Sequence, residues 1–133
     1  MLIYLYVALG GALGSVARFA ASGVVANLWG GTFPWGTMFV NVTGSFIIGV
    51  FASLTDPQDG RWLVGTDKRQ FFMTGICGGY TTFSSFSLNT LNLVRGGDML
   101  QAGGNVLASV TLCLVAVWLG YALGMAINLK KGS

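Results

Sequence analysis

The sequence predicts an all-α membrane protein: one domain, residues 1–133, with four transmembrane helices, the third broken in mid-membrane. Three observations lead there. Only 8% of the residues are charged, 53% are hydrophobic and mean hydropathy is +0.70, whereas a soluble domain carries about 25% charged residues. Apolar segments of spanning length, about 20 residues, recur four times, at 2–28, 34–54, 70–94 and 99–129. Inside the third, residues 75–87 bring glycine, hydroxyl and phenylalanine together. Glycine costs about 1 kcal/mol per helical position relative to alanine, and non-helical backbone survives at membrane depth only where protein buries it or where it lines a cavity. The stretch reads as a helix interrupted for a purpose.

The first span ends near residue 28, and Trp29 follows it before a Gly30-Gly31 turn, as an interfacial aromatic anchor should. It carries Gly10 with Gly14, and Gly11 with Ser15, at close-packing spacing. It also holds Arg18, the one basic residue within a span, roughly 24 Å along the helix at 1.5 Å per residue. That depth demands a partner or snorkelling. The second span opens with Pro34, whose missing N–H is harmless in a first helical turn, aligns Thr37, Asn41 and Ser45 at i, i+4, i+8 on one face, and sets Ser45 and Gly49 at close-packing spacing. A polar loop containing Trp62 leads to the third span. There Thr81, Ser84 and Ser87 recur at i, i+3, i+6, with Phe83 and Phe86 beside them at i, i+3. A turn at 95–98 leads to the fourth span, where Asn105, Ser109 and Cys113 form a line and Gly120 pairs with Gly124.

No histidine is present, which removes ordinary imidazole chemistry, and nothing else suggests an enzyme. Cys77 and Cys113 lie in apolar segments and read as packing residues. The formal charge of +3 suits lipid-facing loops and does not point to nucleic acid. All four acids, Asp56, Asp59, Asp67 and Asp98, fall in loops, so the membrane-embedded polar groups are one arginine with asparagines, serines and threonines. These can donate to an anion, and a phenyl ring adds a positive edge. A four-helix multidrug exporter, the alternative, needs an embedded acid for cation exchange. A non-transporting scaffold leaves the break unexplained. Arg61, Lys68, Arg69, Lys130 and Lys131 share one side with the N-terminus against Arg95 on the other, which favours both termini inside.

The runs Gly10-Gly11-Ala12-Leu13-Gly14-Ser15-Val16-Ala17-Arg18, Asn41-Val42-Thr43-Gly44-Ser45 and Gly78-Gly79-Tyr80-Thr81-Thr82-Phe83-Ser84-Ser85-Phe86-Ser87 resemble the motifs of the CrcB/Fluc fluoride channel family. The resemblance covers nearly the whole chain. It implies an antiparallel dimer in the cell membrane with two fluoride pores and passive export of F⁻. By position, Phe83 and Phe86 would present ring edges to the ion and Asn41 would donate its amide. Thr37, Ser84 and Ser87 would form a polar track, with Ser109 and Asn105 on the fourth-helix wall. Arg18 would sit in a pore vestibule, and the Gly78 and Thr81 carbonyls would hold a structural Na⁺ on the dimer axis. The chain departs from the family pattern at Asn89, where Glu is common, at Ser85, and at Cys113 and Val117 on the fourth helix. The implied partner is a second copy of the chain, or a paralogue if the small charge bias fixes one orientation.

Overall fold

The computed structural model describes residues 1–132; Ser133 and the side chain of Lys131 lie outside the described residues. Among the described residues the fold is helical throughout, with no strand. Helix α1 covers Leu2–Trp29, α2 Trp35–Leu54 and α3 Thr66–Gln70. A π-helix follows over Phe71–Cys77, then one turn, α4, over Gly78–Tyr80. After a gap come α5, Phe83–Arg95, and α6, Met99–Gly132. Three of these, α1, α2 and α6, are long and apolar enough to cross a membrane. The third span is divided, as expected: it leaves helical geometry at Thr81 and Thr82, and its helix starts four residues before the expected position, at Thr66.

Turn chemistry follows the glycines where positive φ is required. Gly30 (φ 52°) and Gly31 (φ 79°) reverse the chain between α1 and α2, and Gly97 (φ 84°) does so between α5 and α6; an L side chain rarely tolerates that region. Trp29 and Trp35 close the first turn edge to face, with centroids 5.7 Å apart.

Two backbone-to-backbone contacts organise the bundle. On α1, a Cβ at Gly14 would lie 2.1 Å from the Ile76 carbonyl oxygen, and one at Gly10 would lie 2.3 Å from that of Phe71. Between α2 and α6, a Cβ at Gly49 would lie 2.4 Å from the Val117 carbonyl, and one at Gly120 would lie 2.2 Å from that of Phe46. The small-residue spacings are therefore used within the chain, where they let helix axes approach closely. Phe71 packs on Tyr6 of α1 and Phe72 on Phe51 of α2, so the π-helix is wedged between the first two helices. The largest fully buried side chains are Val40, Asn105 and Ser53, while Leu13, Val16, Phe19, Leu100 and Leu107 point outward. A small interior that admits Asn105 and Ser53 beside Val40, under an exterior of large apolar side chains, matches a lipid surround rather than water.

Candidate functional site

The site begins with the break. Tyr80 ends α4, and Thr81 (φ −86°, ψ 160°) and Thr82 (φ −153°, ψ 115°) are extended. Two residues of extended chain leave backbone groups without helical partners, and a buried polar group left unpaired is costly. Side chains supply the missing partners. The Asn41 amide clasps Thr82 from both directions: Nδ2 donates to the Thr82 carbonyl at 3.0 Å, and Oδ1 accepts from the Thr82 N–H at 2.7 Å. Arg18 donates from Nε to the Gly79 carbonyl at 3.0 Å. Thr82 Oγ1 accepts from the Ser85 N–H at 3.1 Å, an N-cap that starts α5. The Thr81 hydroxyl donates to the Cys77 carbonyl at 3.0 Å.

Beside the break lies a cavity of about 310 Å³. Asn41, Gly44 and Ser45 of α2 line one wall, Thr81, Thr82, Phe83 and Phe86 another, and Ser109, Val110 and Cys113 of α6 a third. The Phe83 and Phe86 rings lean together, with centroids 5.5 Å apart and planes at 52°. Phe83 is 78% exposed, so one side of this cavity is open in the single chain. A second cavity, about 410 Å³, lies against the N-terminal turn of α2, where Phe19, Ser22, Trp35, Thr37 and Asn89 meet. Thr37 and Asn41 are one helical turn apart, about 6 Å at 1.5 Å per residue. The two cavities thus follow one another along α2.

Behind the first cavity, Asn105 is 1% exposed. It donates from Nδ2 to Thr90 Oγ1 at 2.9 Å and accepts from the Ser109 hydroxyl at 3.2 Å. Thr90 in turn donates to the Phe86 carbonyl at 2.8 Å. Asn89 donates from Nδ2 to Thr37 Oγ1 at 2.8 Å.

Residues 5–121 match the family described as CrcB-like protein, camphor resistance (CrcB). The chain belongs to the CrcB family. Relatives named fluoride-specific ion channel FluC include one from Opitutus terrae, 65% identical over the full length of both chains. Another, from Methylocella silvestris, is 57% identical over 98% of each chain. A third, from Rhodospirillum rubrum, is 56% identical over 94% of this chain and 96% of its own.

In this CrcB chain the residues singled out from sequence separate into groups. Asn41, Gly78, Thr81, Phe83, Phe86 and Ser109 meet at the first cavity. Thr37 belongs to the second. Ser84 and Ser87 are exposed on α5; Ser84 Oγ lies 3.2 Å from Thr82 Oγ1, and Ser87 donates to the Phe83 carbonyl at 3.0 Å. Asn105 stands behind the Ser109 wall, and Arg18 is engaged at the break. The i, i+3, i+6 stripe through Thr81 does not persist, because the interruption separates Thr81 from Ser84. Three contributors were not singled out from sequence: Thr82, whose backbone Asn41 holds, Thr90, and Asn89 as a partner of Thr37. A hydroxyl three residues before Ser85, at the start of a helical run, is an N-cap signal that could have marked Thr82.

Proposed function

We propose that this chain is a fluoride-selective channel that lets F⁻ leave the cytoplasm passively across the cell's plasma membrane, and that it is not an enzyme. The observation that carries the reading is the cavity of CrcB-family residues at the break, where an amide, hydroxyls and two phenyl rings gather without a carboxylate. The names of the FluC relatives support the choice of ion. In this reading the divided segment is the third of four crossings, and two copies pair antiparallel to give two pores. The open side at Phe83, and the exposed Ser84 and Ser87, are then closed over by the second copy.

Fluoride is small and strongly hydrated, so a pore must replace its water with donors, because a bare charge in a low-dielectric interior is costly. Asn41 has a second Nδ2 hydrogen beyond the one given to Thr82. Phe83 and Phe86 contribute electropositive ring edges. Thr37, Ser84 and Ser87 continue the track, with Ser109 in the α6 wall and Asn105 behind it. Several weak sites in sequence allow both entry and release. Arg18 keeps a positive charge close to the path while its Nε serves Gly79.

The break also fits a structural Na⁺. In an unbroken helix the Thr82 N–H would serve the Gly78 carbonyl and the Ser85 N–H that of Thr81. Both N–H groups are diverted, one to Asn41 Oδ1 and the other to Thr82 Oγ1. Two hard carbonyl oxygens per chain are thereby released from helical bonding, and a symmetry-related copy would double the set. The ion would supply a central positive charge that holds the two breaks together.

Fluoride-electrode recordings from proteoliposomes test the function, with Cl⁻ as the control ion. The expected result is F⁻ efflux without Cl⁻ efflux. Phe83→Ile keeps an apolar side chain but removes the ring edge, and should abolish F⁻ efflux while size-exclusion still shows a dimer. Normal efflux in that variant would remove the ring from the mechanism.

A further inference from the structure

The fluoride reading leaves open what keeps the cavity walls at a fixed separation. Phe86 on α5 and Ser109 on α6 face the same 310 Å³ space from different helices. Asn105, buried to 1% exposure, connects them from behind. Its Oδ1 takes the Ser109 hydroxyl proton, and its Nδ2 reaches Thr90 Oγ1, which donates onward to the carbonyl of Phe86 itself. A carboxamide is planar and has a set span between its acceptor and donor ends. Ser109 is held to Asn105 within α6 and Phe86 to Thr90 within α5, and the bond from Asn105 Nδ2 to Thr90 Oγ1 joins the two helices one turn behind the cavity-lining pair. The Ser109 proton points into this brace, so the serine offers the cavity lone pairs rather than a donor. That assigns Ser109 and Asn105 a task other than direct donation to the ion.

We propose that Asn105, acting through Thr90 and Ser109, is the positioning residue that sets the Phe86-to-Ser109 spacing and so the largest anion the path accepts. The inference rests on the fluoride reading above. An ordinary interhelix bond would affect only assembly. This one joins Asn105 to Thr90, each bonded within its own helix to a cavity-lining residue, Ser109 and Phe86, so loosening it widens the aperture and admits a larger halide.

The test compares Thr90→Val, which removes the hydroxyl while nearly preserving shape, with Thr90→Ser, which keeps it, and adds Asn105→Ala. F⁻ and Cl⁻ efflux are measured on the same proteoliposomes. Thr90→Val and Asn105→Ala are expected to pass both ions, with the F⁻/Cl⁻ rate ratio reduced at least tenfold. Thr90→Ser should retain the parent ratio. Unchanged selectivity in Thr90→Val and Asn105→Ala would overturn the inference while leaving the channel intact. So would equal loss in Thr90→Ser and Thr90→Val, or a Thr90→Val protein that no longer elutes as the parent assembly, since the bond would then be only a scaffold element. Absence of F⁻ efflux from the parent protein would instead overturn the channel reading and this inference with it.

Discussion

Replacing Asn41 by alanine should destabilise the protein by more than an ordinary interhelix hydrogen bond can account for. The side chain makes two bonds, at 3.0 and 2.7 Å, to the carbonyl and N–H of one residue, Thr82. A side-chain hydrogen bond between membrane helices is worth about 0.6 kcal/mol on average, because the freed partners find substitutes. Two such bonds would give about 1.2 kcal/mol. Thr82 differs in being extended, so its groups cannot fall back into a helical ladder. A polar group left unpaired in the interior costs about 1–3 kcal/mol. Asn41 is only half-buried and the adjoining cavity can admit water, so each group belongs near the lower end of that range. The expected loss is about 2–3 kcal/mol. Equilibrium unfolding in mixed micelles of increasing SDS content measures it. A loss of about 1.2 kcal/mol or less would show that the break closes by itself and that Asn41 does not hold it open. Asn41→Gln displaces the amide by one methylene and should recover little.

Gly14→Ala should destabilise by about 1–3 kcal/mol or more, because the new methyl would meet the Ile76 carbonyl at 2.1 Å. Gly103→Ala in α6 meets nothing within 4 Å and should be neutral or stabilising by up to about 1 kcal/mol; the same unfolding titration ranks the two, and a reversed order would refute the packing argument. At the loop after α2, Asp56 accepts the N–H of Gln58 at 2.9 Å and of Asp59 at 3.2 Å. These bonds, the first above all, with help from the charge of Arg69, hold its carboxyl below the ordinary value of 3.8. A lowered folded value means that the contribution is present above the unfolded value and disappears as pH falls through the folded one. The turn should therefore loosen only below pH 3.8. A carboxyl-carbon NMR titration should place the Asp56 midpoint under 3.8, and a midpoint at or above it would contradict the geometry.

The interruption was legible in residues 75–87 because glycine and paired threonines oppose helix at a place where the apolar run demands it, and the chain leaves helix at Thr81 and Thr82. The small-residue pairs on α1, α2 and α6 were legible for a similar reason: their spacing is a property of one helix face, and Gly10, Gly14, Gly49 and Gly120 all meet backbone. The π-helix at Phe71–Cys77 was not legible. Its seven residues have no composition that separates them from α-helix, and aromatic packing against both α1 and α2 accompanies the wider turn.

What the sequence determined by itself was therefore local and periodic: an apolar all-helical chain, the position of the break, and which polar groups share a face of the unbroken helices α2 and α6. What only the tertiary structure decided was partnership. Nothing near Asn41 in the chain indicates that it closes on Thr82, 41 residues away, or that Arg18 reaches Gly79, 61 residues away. Nor does any local pattern turn Asn105 from a wall-lining donor into a brace behind the wall. A hydrogen bond between helices depends on the angle and distance at which their backbones meet, and those are set by the glycine contacts of the whole bundle.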